Sequence, residues 1–255
     1  SSMKFVDRYC FSGCFSFTGS LVIPESVVQI ESHAFYRCKG FNGELKLPNI
    51  LTQIDAFAFF HCTGLKGSLV IPNKVMYVNE YSFEGCTGFD GNLSLSQTMV
   101  IIKNNTFAGC TGLKGSLVIP EKVKEIRGFA FSKCSGFDGN LVLPKVLFYI
   151  FDSAFSFCSG LKGELVIPDT IKVISEKAFY NCEGFTGSLS LPKSLVQINH
   201  ATFMGCKGLD DSLYIYANVT SIEEEAFTST NFKNVFYFGL DEPNCDSKIG
   251  FKSGQ

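Results

Sequence analysis

The sequence predicts an α/β repeat solenoid: a right-handed superhelix with short parallel strands on one face and a 24-residue repeat. Three observations in the 255 residues lead to it: evenly spaced cysteines, evenly spaced phenylalanines, and the peptide CTGLKGSLVIP, found at 62–72 and again at 110–120. A fixed period of this length is typical of solenoids, in which each unit buries its apolar face against its neighbours. The cysteines that keep the 24-residue step are Cys14, Cys38, Cys62, Cys86, Cys110, Cys134, Cys158, Cys182 and Cys206.

Each repeat begins with a predicted strand. Residues 68–72, SLVIP, form a short β-type run with two inward side chains, and Pro72 then ends hydrogen bonding along the strand. Residues 81–86, YSFEGC, are predicted to form a helical or 3₁₀ turn, and residues 87–91, TGFDG, to turn the chain on glycines. The predicted inward positions of this unit are Leu69, Ile71, Val75, Val78, Phe83 and Cys86.

A weaker alternation doubles the period to 48 residues. The residue after the first glycine of the turn is Leu in one unit and Phe in the next, as in Leu65 and Phe89. The alternation fits either duplication of a 48-residue element or interleaving of large and small side chains along the core. The residue that follows alternates too, and the series is Lys66, Asp90, Lys114, Asp138, Lys162 and Thr186.

Residues 1–255 are predicted to form a single domain. About residues 3–20 are a partial N-terminal repeat or cap, because Met3, Val6 and Phe11 match the second half of a unit. Residues 21–230 contain the regular repeats. Residues 231–255 are predicted to contain a C-terminal strand and cap, which a solenoid needs to protect its open edge.

Charge and hydropathy exclude two classes of partner. The chain has 22 Lys and Arg against 24 Asp and Glu, so no strong field attracts nucleic acid. No apolar run reaches the roughly 20 residues that cross a bilayer. We therefore expect no nucleic-acid binding and no direct membrane insertion of this segment.

No catalytic, metal-binding or cofactor-binding residues are predicted. His33, His61 and His200 occupy different positions of the repeat, without a nucleophile in register. The glycine turns recur in every unit and are therefore structural. The periodic cysteines favour buried free thiols, since zinc sites need closely spaced pairs. Only Cys10 and Cys14 lie that close, and a disulfide between them is the alternative for this pair.

The repeat resembles a known family. Residues 21–41, LVIPESVVQIESHAFYRCKGF, and 165–185, LVIPDTIKVISEKAFYNCEGF, follow LxIPxxVxxIxxxAFxxCxGLxG, the pattern of the BspA-like leucine-rich repeat. The resemblance covers about residues 3–240, although the usual unit of the family is one residue shorter, and Ser96, Tyr216 and Thr230 depart from the pattern. Members are surface proteins of bacteria and protists, so the resemblance implies a leucine-rich-repeat solenoid on the cell surface or outside the cell.

Outward positions carry the hypothesis for binding, because the scaffold does not dictate them. The middle residue of the predicted strand is apolar in six of nine units. Val suits an exposed strand position through β-propensity alone, and a stripe that binds a partner is the alternative. The candidate residues of this stripe are Val70, Val118, Val142 and Val166.

A second candidate surface follows each strand. Two adjacent residues between inward positions are polar in some units and apolar in others. Exposed apolar patches of several hundred Å² tend to mark contact sites, and large aromatic side chains are favoured anchors. We expect at least one side chain of each apolar pair to face solvent. The pairs are Met76 and Tyr77, Val100 and Ile101, and Phe148 and Tyr149.

These observations predict a non-enzymatic recognition module, on the cell surface or secreted. The family resemblance implies protein or glycoprotein partners, such as extracellular matrix or the surface of other cells. The alternative is a structural spacer or a self-associating surface scaffold. Sequons at Asn92, Asn104 and Asn218 agree with export through a eukaryotic secretory route.

Overall fold

The computed structural model describes residues 3–246 and 248–250, which form a parallel β-solenoid of about ten coils. Leu117 lies beside Leu141 in a parallel ladder, one 24-residue repeat further on, which confirms the predicted repeat and its short parallel strands. We call this side of the solenoid the first ladder. Its strands are β2 (Leu21–Val22), β4 (Leu45–Lys46), β6 (Leu69–Val70), β8 (Leu93–Ser94), β10 (Leu117–Val118), β12 (Leu141–Val142), β15 (Leu189–Ser190), β17 (Ser212–Ile215) and β19 (Asn234–Tyr237).

A second ladder of parallel strands lies on another side, where no strand was predicted. It forms because the residue before each inward aliphatic residue pairs with its equivalent in the next coil, as Gln29 does with Gln53. Its strands are β1 (Phe5–Val6), β3 (Gln29–Ile30), β5 (Gln53–Ile54), β7 (Tyr77–Val78), β9 (Ile101–Ile102), β11 (Glu125–Ile126), β13 (Tyr149–Ile150), β14 (Val173–Ile174), β16 (Gln197–Ile198), β18 (Ser221–Ile222) and β20 (Asn244–Cys245).

The third side, the turn face, contains turns where helical segments were predicted. The described residues include no helix, so the α/β class is wrong. His33 and Arg37 adopt φ of 61° and 56°. Successive N–H groups of the turn therefore point in turn toward the next coil and back into their own turn. The Phe35 N–H therefore donates to Ala58 of the next coil (2.8 Å), whereas the Tyr36 N–H donates back to His33 (3.1 Å). A helix would direct every N–H group along its own axis.

Phenylalanine and cysteine form two columns through the core. Phe35 and Phe59 stack with ring centroids 5.3 Å apart, and the column runs from Phe11 to Phe227. The Phe35 carbonyl accepts the N–H of Cys38 (3.1 Å) and the thiol of Cys62 in the next coil (3.0 Å). Eight of the nine periodic cysteines are buried free thiols, as predicted, and each donates to a carbonyl of the preceding coil, whereas Cys14 is only partly buried.

The alternating Leu and Phe side chains of the glycine turns are buried in the same core, for example Leu113 and Phe137. Large and small residues thus interleave along the axis. The handedness of the superhelix and the assignment of residues 1–255 to one domain stay predictions. Residues 1–2, 247 and 251–255 of that domain lie outside the described residues.

Candidate recognition surface

The first ladder is interrupted at alternate junctions between coils. Within the described strands, β2 pairs with β4, β6 with β8, and β10 with β12, whereas β4 and β6 belong to separate sheets, as do β8 and β10. From β2 to β12, the 48-residue period in the sequence therefore corresponds to coils joined in pairs, whereas β15, β17 and β19 form one continuous sheet.

Two side chains join the coils of each pair, in an arrangement we call the clip. The Gly67 N–H donates to Asp90 Oδ1 (2.8 Å), and the Asn92 N–H donates to Ser68 Oγ (3.1 Å). Gly67 has φ 75°, which favours glycine. The other clips join Gly19 to Asn42 (2.8 Å), Gly115 to Asp138 (2.7 Å) and Gly187 to Asp210 (3.3 Å).

The coil that begins at Gly163 lacks both parts of the clip. Glu164 stands in the place of the serine, and Thr186 in the place of the aspartate or asparagine. Residues 165–167 accordingly form no strand, and the sheets on either side end at β12 and β15. A groove of about 530 Å³ opens here, lined by Val166 among others.

The predicted valine stripe is exposed but discontinuous. Val118 lies directly beside Val142, whereas Val70 lies beside Ser94 and Val166 lies in the groove. All four side chains are exposed. Whether they bind a partner stays a hypothesis.

The second ladder is interrupted between β7 and β9 and again between β14 and β16. At an intact junction, the Thr52 N–H donates to Val28 (2.9 Å) and the Asp55 N–H to Ile30 (2.9 Å). The equivalent donors at the first interruption are Val100 and Lys103, and neither N–H reaches the preceding coil among the described residues.

An apolar cavity of about 260 Å³ occupies the first interruption, and we call it the gap pocket. Met76 and Tyr77 form one wall and Val100 and Ile101 the other. Met76, Tyr77 and Val100 are 50%, 54% and 44% exposed. The structure therefore brings together two of the three predicted apolar pairs around one concave site.

The third predicted pair lies apart from the gap pocket. Glu125 separates Ile101 from Tyr149 in the ladder. Phe148 and Tyr149 are both half-buried, and the Lys172 ammonium lies 5.3 Å from the Phe148 ring centroid. A cation above the ring makes this part of the surface less apolar than the sequence predicted.

The second interruption, between β14 and β16, is spanned by a side chain. The Asn199 side-chain amide spans it and donates to the Ile174 carbonyl (2.7 Å). Lys103 occupies the same repeat position at the first interruption and instead pairs with Glu80 (3.7 Å). One side chain thus distinguishes a bridged interruption from an open one.

Sequence reasoning missed the clip and the difference between Lys103 and Asn199. The doublet Gly-Ser, followed 23 residues after its glycine by Asn or Asp, was the available signal for the clip. It occurs at residues 19–20, 67–68, 115–116 and 187–188, and it is missing at 163–164.

The histidines offer little chemistry in this structure. His33 packs between Tyr9 (4.6 Å) and Phe57 (4.8 Å), and its burial lowers its pKa, assisted by Arg8. Burial likewise lowers the pKa of His61. No three potential metal ligands meet in the described part of the chain, and that part has no helix that could span a membrane.

The fold and surface define a parallel-stranded repeat solenoid. The family model "BspA type Leucine rich repeat region", in 6 copies, matches residues 4–138, 91–187 and 139–240. Because these segments span almost the whole chain, the protein belongs to the BspA-type leucine-rich-repeat family. This confirms the resemblance seen in the sequence.

Solved structures agree with this fold. A leucine-rich repeat protein from Bacteroides ovatus ATCC 8483 is 21% identical over 95% of this chain and 78% of its own, with a TM-score of 0.64. The T. pallidum leucine-rich repeat protein is 28% identical over 64% of this chain and 75% of its own, with a TM-score of 0.54. No curated protein matches the chain significantly.

Proposed function

We propose that the protein is a non-enzymatic recognition module, displayed on the cell surface or secreted, which binds a protein or glycoprotein partner of the extracellular matrix or of another cell. The observation that carries the proposal is the gap pocket, where exposed Met76, Tyr77 and Val100 surround a concave apolar site. Membership of a family with surface proteins supports the location.

The gap pocket suits one large apolar side chain of a protein partner. Its volume of about 260 Å³ is small for most ligands but sufficient for such an anchor. Full burial of an anchor of this kind contributes roughly 1.5–3 kcal/mol. Lys103 and Glu80 pair beside the pocket, which gives the apolar centre a polar rim, as protein interfaces commonly have.

The sequons are compatible with display outside the cell. Asn92, Asn104 and Asn218 are all exposed, so each could accept a glycan without unfolding of a coil. Asn92 lies next to β8 on the first ladder. A glycan there would obstruct the valine stripe, whereas a glycan on Asn104 would stand next to Lys103 at the edge of the gap pocket.

Binding of the labelled protein to immobilised matrix proteins and to whole cells tests this function. We compare it with the variant Met76→Lys/Val100→Lys, whose charges would be buried by an apolar anchor. We expect saturable binding that this variant loses. The matched control is Val196→Lys, which changes a valine that is also exposed (55%, against 44% for Val100) at the repeat position of Val100, beside the bridged interruption.

Two results would contradict the proposal. Binding that persists in Met76→Lys/Val100→Lys would remove the gap pocket from the recognition surface. Absence of saturable binding, together with concentration-dependent oligomers in light scattering, would favour the self-associating scaffold. Circular dichroism of all variants must first show an unchanged fold.

A further inference from the structure

A second concave site lies on the turn face, away from both ladders. One column of this face has a side chain in six coils but glycine at positions 13, 85, 109 and 205, of which only 85 and 109 lie in neighbouring coils. The His61 ring covers Gly85, and the open space beside Gly109 is part of a depression of about 610 Å³, which we call the turn-face bowl. With coils ~4.8 Å apart, it extends about 14 Å along the axis from Glu84 to Phe157. The column consists of Gly13, Arg37, His61, Gly85, Gly109, Lys133, Phe157, Asn181, Gly205 and Ser229, all with positive φ.

Two aromatic rings line the bowl. Phe129 and Phe157 are 46% and 42% exposed, and Tyr180 supports Phe157 edge-on, with ring centroids 5.2 Å apart. These rings are held outside the core, because the core column of the same coils is already filled by Phe131 and Phe155. They therefore offer apolar contact surface to a bound molecule.

Polar groups of both charges share the bowl. Asn105 and Lys133 lie near the Glu84 carboxylate, and both favour its charged form. Glu84 Oε2 is buried with no hydrogen-bond partner among the described residues. An acceptor left in this state is costly and calls for a donor. Burial raises the pKa of Glu84.

The backbone of the floor is already hydrogen-bonded. The Gly85 N–H donates to Ala108 (2.8 Å), the Gly109 N–H to Ser132 (2.7 Å) and the Lys133 N–H to Ser156 (2.7 Å). An extended peptide binds mainly through main-chain hydrogen bonds, and this floor has no such donors to offer. Recognition in the bowl must therefore use side chains.

We propose that the turn-face bowl binds a neutral glycan, with C–H faces of its pyranose rings against Phe129 and Phe157 and its hydroxyl groups bonded to Glu84, Asn105 and Lys133. An anion would be repelled by Glu84 and a cation by Lys133, whereas a sugar hydroxyl both donates and accepts. A purely apolar ligand would leave the Glu84 carboxylate unsatisfied. The aromatic walls with a few convergent polar groups fit the usual composition of ligand sites.

Titration calorimetry with three neutral hexasaccharides, cellohexaose, mannohexaose and chitohexaose, tests the proposal. We expect at least one to bind. Gly109→Asn should abolish binding by filling the floor, and Asn181 shows that this column accepts asparagine at φ 55°. Space exists too, since a Cβ at Gly109 meets nothing closer than 3.7 Å. Phe157→Asn and Glu84→Gln should each weaken binding about tenfold.

The matched control is Gly13→Asn, which has the same repeat position and the same φ of 71° as Gly109 but lies far from the bowl. It should bind like the native protein, and so should Met76→Lys/Val100→Lys, because the gap pocket is a different site. The proposal is overturned if no hexasaccharide binds, or if Gly109→Asn binds as well as Gly13→Asn. The proposal would also be overturned if no hexasaccharide bound, while a polypeptide bound to the native protein and to Gly13→Asn but not to Gly109→Asn.

Discussion

The interior and the outer surface of this solenoid differ in how strictly they repeat. Inside, each coil contributes one phenylalanine to the same column, and the rings stack at centroid distances from 5.0 Å, at Phe59 and Phe83, to 5.7 Å, at Phe83 and Phe107. Outside, some junctions are clipped or bridged and others are open. Stability should therefore come from columns that act together, whereas the openings that could bind a partner are controlled by one or two polar side chains.

The largest expected effect is alkaline destabilisation, because the cysteine column should fail as a unit. The seven folded thiols of the column from Cys62 to Cys206 stay protonated well above the ordinary thiol pKa of about 8.5, while unfolded thiols ionise there. Above that pH the unfolded state binds fewer protons, so the free energy of unfolding falls as pH rises. Burial raises the pKa of Cys86, Cys134 and Cys206 to about 12 and also raises that of Cys62, Cys110, Cys158 and Cys182.

Denaturant unfolding in reducing buffer from pH 7 to 10 measures this effect. We expect the free energy of unfolding to fall by several kcal/mol above pH 8.5. Cys134→Ala should reduce the slope by up to about 1.4 kcal/mol per pH unit. If the free energy of unfolding did not change with pH, the buried thiols would not stay protonated in the folded state as we argue.

The next largest effect should come from a single ring of the phenylalanine column. Phe131→Ala removes a fully buried side chain between Phe107 and Phe155. We expect a loss of about 3–5 kcal/mol, since the neighbouring coils cannot close the cavity. Phe11→Ala, at the partly exposed end of the column, should cost less. Denaturant unfolding measures both variants. If Phe131→Ala and Phe11→Ala lowered the free energy of unfolding equally, burial within the column would not determine the contribution of each ring.

Smaller effects are expected at the clips. Asp138→Ala leaves the Gly115 N–H without its acceptor and should lower the free energy of unfolding by about 0.5–1.5 kcal/mol. The reverse change, Glu164→Ser/Thr186→Asp, restores both parts of the clip. It should raise the free energy of unfolding by a similar amount. Hydrogen exchange supplies the local readout: the amides of residues 165–167 should become protected in the repaired variant. Unchanged exchange would mean that other residues hold the groove open.

The interior could be predicted from the sequence because it obeys one rule. Phe83 and Cys86 recur every 24 residues, and an apolar column with a fixed step has to face the core of a stacked coil. The second ladder could not be predicted in this way. Its strands are two residues long and its bonds join main-chain atoms of different coils, so Gln29 and Gln53 resemble turn residues in the sequence.

The turn face and the candidate site show the same limit. Left-handed residues that are not glycine, such as His33 and Phe57, conceal the turns from sequence reasoning. The exposed pair Met76 and Tyr77 was visible as a pattern, but the gap pocket was not. That pocket depends on hydrogen bonds that do not form between two coils, and side-chain patterns carry no trace of them.

An effect no larger than that at the clips is expected at the two interruptions of the second ladder. Asn199→Ala removes the amide that reaches the Ile174 carbonyl and should lower the free energy of unfolding by about 0.5–1.5 kcal/mol. Lys103→Asn places the same amide at the open interruption, where it could donate to the Val78 carbonyl. This change should protect the amides around Val100 from hydrogen exchange and narrow the gap pocket.

Lys103→Asn also tests whether the open interruption is needed for partner binding at the gap pocket. If one amide separates a bridged junction from an open one, this variant should bind the partner more weakly while Met76, Tyr77 and Val100 are unchanged. Lys103→Gln is the control, because its longer side chain also removes the charge but does not reproduce the geometry of Asn199. Equal loss of binding in Lys103→Asn and Lys103→Gln would assign the effect to the Lys103 charge. The gap pocket would then be open because of the backbone conformation and not because a bridging amide is missing.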